Sequence, residues 1–159
     1  MTSPLPVLSI ENLHLDFDTF DGALHVLDGI NISLDAGETV GIVGETGCGK
    51  SVTVRSILRL LPMPPARFSS GAIHFKGRDL AAASERDMRR IRGLEIALIP
   101  QDPMSYLNPV FTVGQQLTDV IRAHGRNLPP AQRSAGKSAR ERAIELLTQV
   151  HLPHPEKQL

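Results

Sequence analysis

One eight-residue run, Gly44-Glu45-Thr46-Gly47-Cys48-Gly49-Lys50-Ser51, combines residue types that hold phosphate. It fits the pattern G-x-x-x-x-G-K-[ST] in full. Glycine suits such a loop because a backbone wrapped around an anion needs positive φ and close approach, and a Cβ obstructs both. Amides of the loop and of a following helical turn can point at the anion, reinforced by the helix dipole. Lys50 is spaced to reach the β- and γ-phosphates, and the Ser51 hydroxyl can ligate Mg²⁺. Cys48 lies inside the loop as a small residue, and the sequence assigns it no catalytic part.

Binding is not hydrolysis. Hydrolysis also asks for a carboxylate at the end of an apolar strand and for a group that orients water. The run Ile96-Ala97-Leu98-Ile99 could be such a strand, but Pro100 and Gln101 intervene before Asp102. Asp102 is therefore misplaced for a Mg²⁺ carboxylate. Gln101 is the better candidate, because a strand-end amide can touch Mg²⁺ or orient the attacking water. The six histidines show no i,i+4 pair and no cysteine partner, so no metal site is expected of them.

The positioning elements follow from the apolar pattern. Residues 39–43 (Thr-Val-Gly-Ile-Val) read as a buried strand entering the loop, and Val54, Ile57, Leu58 and Leu61 as one face of a helix leaving it. Pro62 to Pro65 stop that helix. Upstream, Leu8, Ile10, Leu13, Leu15 and Phe17 alternate with one slip at Glu11-Asn12, which predicts a strand with a bulge. Asp21-Gly22 predicts a hairpin turn, and Ile30, Ile32 and Leu34 a second strand. Short alternating strands imply an antiparallel sheet ahead of the nucleotide core. Downstream, residues 72–75 predict a strand, and Ser84 with Asp87 a capped helix to Ile91. Residues 100–109, with three prolines, predict a loop, and Val113, Leu117, Val120 and Ile121 a helix. Residues 124–137 predict a flexible connection. Ser138 with Glu141 predicts a capping box ahead of Ile144, Leu147 and Val150. Residues 1–6 read as a loose tail.

Composition narrows the class. A chain of 159 residues supports one domain with a sizeable core. Its single cysteine rules out an internal disulfide and suits a reducing compartment. No basic n-region marks a signal peptide, and no apolar run approaches the roughly 18–20 residues of a membrane span. Net charge is zero, yet no Lys or Arg precedes Lys50 while eight acids do. The basic residues beyond are spread over several elements without aromatic interleaving, so no nucleic-acid partner is expected.

The loop at 44–51, the preceding Ala36-Gly37-Glu38-Thr39, and Gln101-Asp102-Pro103-Met104 with Leu107-Asn108-Pro109 together resemble ATP-binding cassette (ABC) proteins. The likeness is to ATPase subunits of the bacterial dipeptide, oligopeptide and nickel import branch. It covers the chain from about Leu8 to Val150. It implies an α/β P-loop NTPase fold with an N-terminal antiparallel β subdomain (7–43), a partial RecA-like core (44–100), a Q-loop (101–112) and the start of a helical subdomain (113–159). It further implies ATP and Mg²⁺ as ligands, with Gly44, Glu45, Thr46, Gly47, Cys48, Gly49, Lys50 and Ser51 as Walker A. Gln101 becomes the Q-loop glutamine, serving metal and water. Phe17, or failing it Phe20, becomes the aromatic that stacks adenine.

The same resemblance implies partners. Residues 102–113 look like the surface that receives a transmembrane permease subunit. A second cassette would complete the ATP sandwich, and a substrate-binding protein would act indirectly. The location implied is the cytoplasmic face of a bacterial inner membrane. Two departures are Pro100, where an aromatic is usual, and Tyr106, where a small hydroxyl residue is usual. The Leu-Ser-Gly-Gly-Gln signature, the Walker B Asp-Glu and the switch histidine are not in these 159 residues. The expectation is thus one incomplete cassette: ATPase activity in the full-length protein, none in this chain alone. The alternatives are a soluble cassette ATPase without a membrane partner, and a nucleotide-binding fragment without activity.

Overall fold

A computed structural model describes residues 5–125, 137–157 and 159. The expected tail at 1–6 and connection at 124–137 lie for the most part outside these. The chain forms two compact units, one up to Arg89 and one from Arg90.

The first unit is built on a four-stranded antiparallel sheet. Strands β1 (Leu8–Thr19), β2 (Gly22–Leu34), β3 (Ala66–Phe75) and β4 (Arg78–Asp79) take the order β2-β1-β3-β4. Alternation puts Ile10, Leu13, Leu15, Leu27, Ile73 and Phe75 inside, each at most 4% exposed. The slip at Glu11-Asn12 is a bulge: pairing shifts register there against both β2 and β3. Asn12 adopts φ 46°, and its N–H donates to Asn31 Oδ1 at 2.9 Å. Gly71 faces this bulge so closely that a Cβ would lie 2.3 Å from the Asn12 carbonyl oxygen.

The hairpin turns on Phe20-Asp21, one residue earlier than expected, with Thr19 paired to Gly22. The Thr19 hydroxyl closes it by donating to the Gly22 carbonyl at 2.6 Å. Strand β3 starts six residues before the expected Ala72 because it pairs along β1 as far as Phe17.

Helix α1 (Lys50–Ile57) ends sooner than Pro62 would require. Arg59 takes φ 50°, its N–H donates to the Ser56 carbonyl, and the Leu60 N–H donates to the Arg55 carbonyl. These are the paired bonds of a Schellman stop, which satisfies the last carbonyls without proline. Helix α2 (Glu85–Ile91) starts as the Ser84–Asp87 spacing predicts: the Asp87 N–H donates to Ser84 Oγ at 3.2 Å. Its Met88 is fully buried.

The second unit contains a 3₁₀ turn (Pro103–Tyr106), helices α3 (Val113–Gly125) and α4 (Ala139–Gln149), and a 3₁₀ turn at Pro155–Lys157. The α4 capping box forms as the sequence predicts, with the Glu141 N–H on Ser138 Oγ at 3.2 Å and the Ser138 N–H on Glu141 Oε2 at 2.6 Å. That backbone bond from Ser138 holds the Glu141 carboxyl below the usual carboxylate range.

Two expected core strands do not form. Neither 39–43 nor 96–99 enters a ladder among the described residues, apart from an isolated bridge between Arg92 and Ile96. A strand exists only where a neighbour satisfies its N–H and C=O groups. Without one, Val40, Ile42, Val43 and Ile99 stay exposed, Val43 at 96% and Ile99 at 89%.

Candidate nucleotide site

The loop at 44–51 is shaped by its own packing. Gly49 has φ 92° and caps α1, with no side chain accepting from the first-turn amides. Those amides are therefore left for an external acceptor, which is the condition for anion binding at a helix start. Gly49 is also buried against β2: a Cβ there would lie 2.9 Å from Leu27 Cδ2 and 3.4 Å from the Val26 carbonyl oxygen. A Cβ on Gly44 would meet Cys48 Sγ at 2.7 Å.

The loop encloses the Lys50 ammonium. Its Nζ donates to the Gly44 carbonyl at 2.7 Å and the Glu45 carbonyl at 2.6 Å, and stands 3.4 Å from Cys48 Sγ. A cation is thereby fixed inside a ring of backbone, at the mouth of a helix whose first amides have no internal acceptor. Ser51 is exposed in the first helical turn, so its hydroxyl is open to a ligand. On the inner side of α1, Thr53 and Ser56 are buried, and both donate back to carbonyls four residues earlier, at 3.0 and 2.8 Å. Those bonds let two hydroxyls pack inward without an unmet donor. The apolar residues singled out in the sequence contribute less: Leu58 is buried, but Val54, Ile57 and Leu61 only half-buried.

Of the two aromatics, Phe17 is half-buried in the sheet, paired to Leu24 on β2 and Ala66 on β3. Phe20 sits at the hairpin turn and is fully exposed. Beside Phe17 lies a feature that apolar periodicity does not signal. Asp16, only 2% exposed, receives His25 Nδ1 at 2.7 Å and Arg67 Nη2 at 2.9 Å. Arg67 Nε also donates to Asp18 Oδ1 at 3.1 Å. The His25 hydrogen bond holds the Asp16 carboxyl below its ordinary range against the opposing effect of burial, with Ser69 and Arg67 adding to it.

In the second unit, Gln101 and Asp102 are exposed. The segment after them is held from α3. Gln116 Oε1 accepts from the Asn108 N–H at 3.0 Å, and its Nε2 donates to the carbonyls of Asn108 and Phe111 at 3.1 and 3.0 Å. Thr112 and Gln115 form a reciprocal cap on α3, both bonds 3.1 Å. The spacing Thr112-x-x-Gln115 is the capping-box pattern and was legible in the sequence. So held, the segment exposes Met104, Tyr106, Val110 and Phe111. No group of three or more His, Cys, Asp or Glu side chains could hold a metal among the described residues.

A family model described as ABC transporter matches residues 27–159, which is most of the chain. The chain belongs to the ABC transporter family. Among curated ABC proteins it is 44% identical over 153 residues to the oligopeptide transport ATP-binding protein OppD of Bacillus subtilis (strain 168), covering 96% of this chain and 41% of that protein. To the dipeptide transport ATP-binding protein DppD of the same organism it is 43% identical, covering 96% of this chain and 44% of that one. This ABC chain therefore spans less than half the length of these relatives. Its fold matches the ATP-binding cassette MJ0796, solved as a dimer bound to ADP and Pi, with TM-score 0.71 at 19% identity, over 96% of this chain and 62% of that one. The α/β P-loop fold expected from the sequence is thus the fold of the ABC chain, as is the likeness to peptide-transport subunits.

Proposed function

We propose that this chain is the nucleotide-binding portion of the ATP-binding subunit of an ABC importer for peptides or similar small solutes. The carrying observation is the loop at 44–51: an enclosed Lys50 ammonium beside an uncapped helix start, in a chain whose curated relatives are peptide-transport ATP-binding proteins. Backbone amides from Gly47 to Ser51 take the phosphates, and Lys50 exchanges its two carbonyl partners for β- and γ-oxygens. The close Gly44–Cys48 and Gly49–Leu27 approaches support this fit, since any Cβ at either glycine would disturb the cradle.

Bound Mg²⁺ would neutralise phosphate charge. It keeps few protein ligands and takes the rest from phosphate and water. Ser51 would supply a hydroxyl oxygen to it, and Gln101 an amide oxygen that would also orient water. Phe17 or Phe20 stacks the base, and the full exposure of Phe20 favours it as the open platform. The apolar side chains at 104–111 receive the permease subunit, and a second cassette completes the sandwich. A substrate-binding protein acts through the permease. Attachment to the cytoplasmic face of the membrane runs through that permease; among the described residues no helix is long and apolar enough to cross a membrane.

The test is Lys50→Ala. Losing a charge-assisted phosphate contact should weaken ATP binding by about 10- to 100-fold. Isothermal titration of ATP into the intact gene product reads this directly, and unchanged affinity would refute the site.

A further inference from the structure

Every residue from Gln101 to Val113 is exposed, so no buried side chain of its own fixes this stretch. Hydrogen bonds fix it instead. From Leu107 to Thr112 each backbone N–H has an acceptor within the protein. Leu107 donates to the Met104 carbonyl and Phe111 to the Asn108 carbonyl, both at 3.2 Å. Val110 donates to Asn108 Oδ1 at 3.0 Å, Asn108 to Gln116 Oε1 at 3.0 Å and Thr112 to Gln115 Oε1 at 3.1 Å. Pro109 has no N–H to place. Water could satisfy all of these amides in an exposed loop, so what the pairing adds is a fixed shape.

That shape is a β-turn from Asn108 to Phe111. Pro109 presets φ at its second position, and the Asn108 side chain closes an Asx turn inside it. Its far half is apolar: Val110 is 81% exposed and Phe111 53%. Gln116, half-buried in the first turn of α3, clamps both ends of the turn. Its Oε1 accepts from the Asn108 N–H, while its Nε2 donates to the Asn108 and Phe111 carbonyls at 3.1 and 3.0 Å. The amide thus uses its oxygen and both of its N–H donors on one turn. Its own backbone is set in the helix, with the Gln116 N–H on the Thr112 carbonyl at 3.1 Å.

We propose that Gln116 is a positioning residue for permease docking: it holds the turn at 108–111, with Val110 and Phe111 outward, in its docking shape before the permease arrives. Ordering the loop in advance removes that entropy loss from the association step. The proposal rests on the reading of residues 104–111 as the permease-docking face, and the experiment separates the two. The intact gene product is titrated onto vesicles that carry its permease subunits, stripped of their own ATP-binding subunits. Hydrogen exchange reads residues 107–112 in the same protein before binding.

Gln116→Met keeps a side chain of similar length and helix propensity and removes all three bonds. It should speed exchange across 107–112 and weaken association by about tenfold, the worth of one to two neutral hydrogen bonds, at an unchanged melting temperature. Gln115→Met removes the Thr112 contact, leaves the clamp, and should weaken association less. Phe111→Ser probes the face itself and should also weaken association. Association undiminished by Phe111→Ser overturns the docking reading, and the role of Gln116 with it. Association weakened by Phe111→Ser but retained in Gln116→Met overturns the role of Gln116 alone. Unchanged exchange in Gln116→Met, a lowered melting temperature, or an equal loss in Gln115→Met overturns it as well.

Discussion

Four glycine-to-alanine substitutions in and before the phosphate loop should behave differently, and the structure ranks them. Gly41 has an ordinary φ and no atom within 4 Å of an added Cβ. Alanine there costs nothing in the fold and restricts the unfolded chain, so stability should hold or rise by up to about 0.5–1 kcal/mol. Gly47 has φ 90° with open space around it, so its penalty is backbone strain alone, about 1–3 kcal/mol. Gly49 adds a collision to the same strain, because its Cβ would lie 2.9 Å from Leu27 Cδ2. Leu27 is 2% exposed and cannot withdraw, so overpacking contributes a further ~1–3 kcal/mol, or about 2–6 in total. Gly44 meets only the Cys48 side chain, at 2.7 Å, and adding Cys48→Ala to Gly44→Ala should recover the loss. Urea unfolding at constant slope measures each value, and ATP titration shows whether affinity falls in the same order. Equal stability of the Gly47 and Gly49 variants would refute the contact with β2. Equality of both with the Gly41 variant would refute the loop conformation itself.

Asp16 titrates below the ordinary carboxylate range in the fold, chiefly through His25. Its ion pairs should therefore stabilise fully above that range and fade as pH falls through the lower folded value. Melting temperature followed from pH 6 down to about pH 3 should fall less steeply in Asp16→Asn; parallel curves would remove Asp16 as a determinant. Ser138→Ala removes the acceptor for the Glu141 amide and should cost about 1 kcal/mol in urea unfolding. An unchanged midpoint would mean that this cap adds nothing.

What proved legible in the sequence was local. The glycine-capped start of α1 at Gly49 follows from residues within eight positions of one another, and those same residues mark the candidate phosphate loop. The Ser84–Asp87 cap and the Ser138–Glu141 capping box are three-residue spacings, and the bulge at Glu11–Asn12 is a break in alternation. Each rests on the chain meeting itself nearby, so spacing carries the information. Helix ends were less legible: α1 stops at Arg59 and not at Pro62, because a non-glycine residue takes up positive φ there. Spacing does not report that choice.

The rest depended on distant segments meeting. Residues 39–43 and 96–99 have strand-like composition, but a strand needs a partner for its backbone groups, and partners are set by topology. Asp16, His25 and Arg67 sit on three different strands, and only their lateral pairing turns three ordinary polar residues into an ionic ladder centred on a buried carboxylate. The contact of Gly49 with Leu27 belongs to the same class. The sequence by itself thus marked residues 44–51 as the candidate phosphate loop, from residue types and spacing alone. Only the tertiary structure decided what packs against that loop, such as Leu27 against Gly49, because side-chain proximity across strands is a property of register, and register is settled by the whole sheet at once.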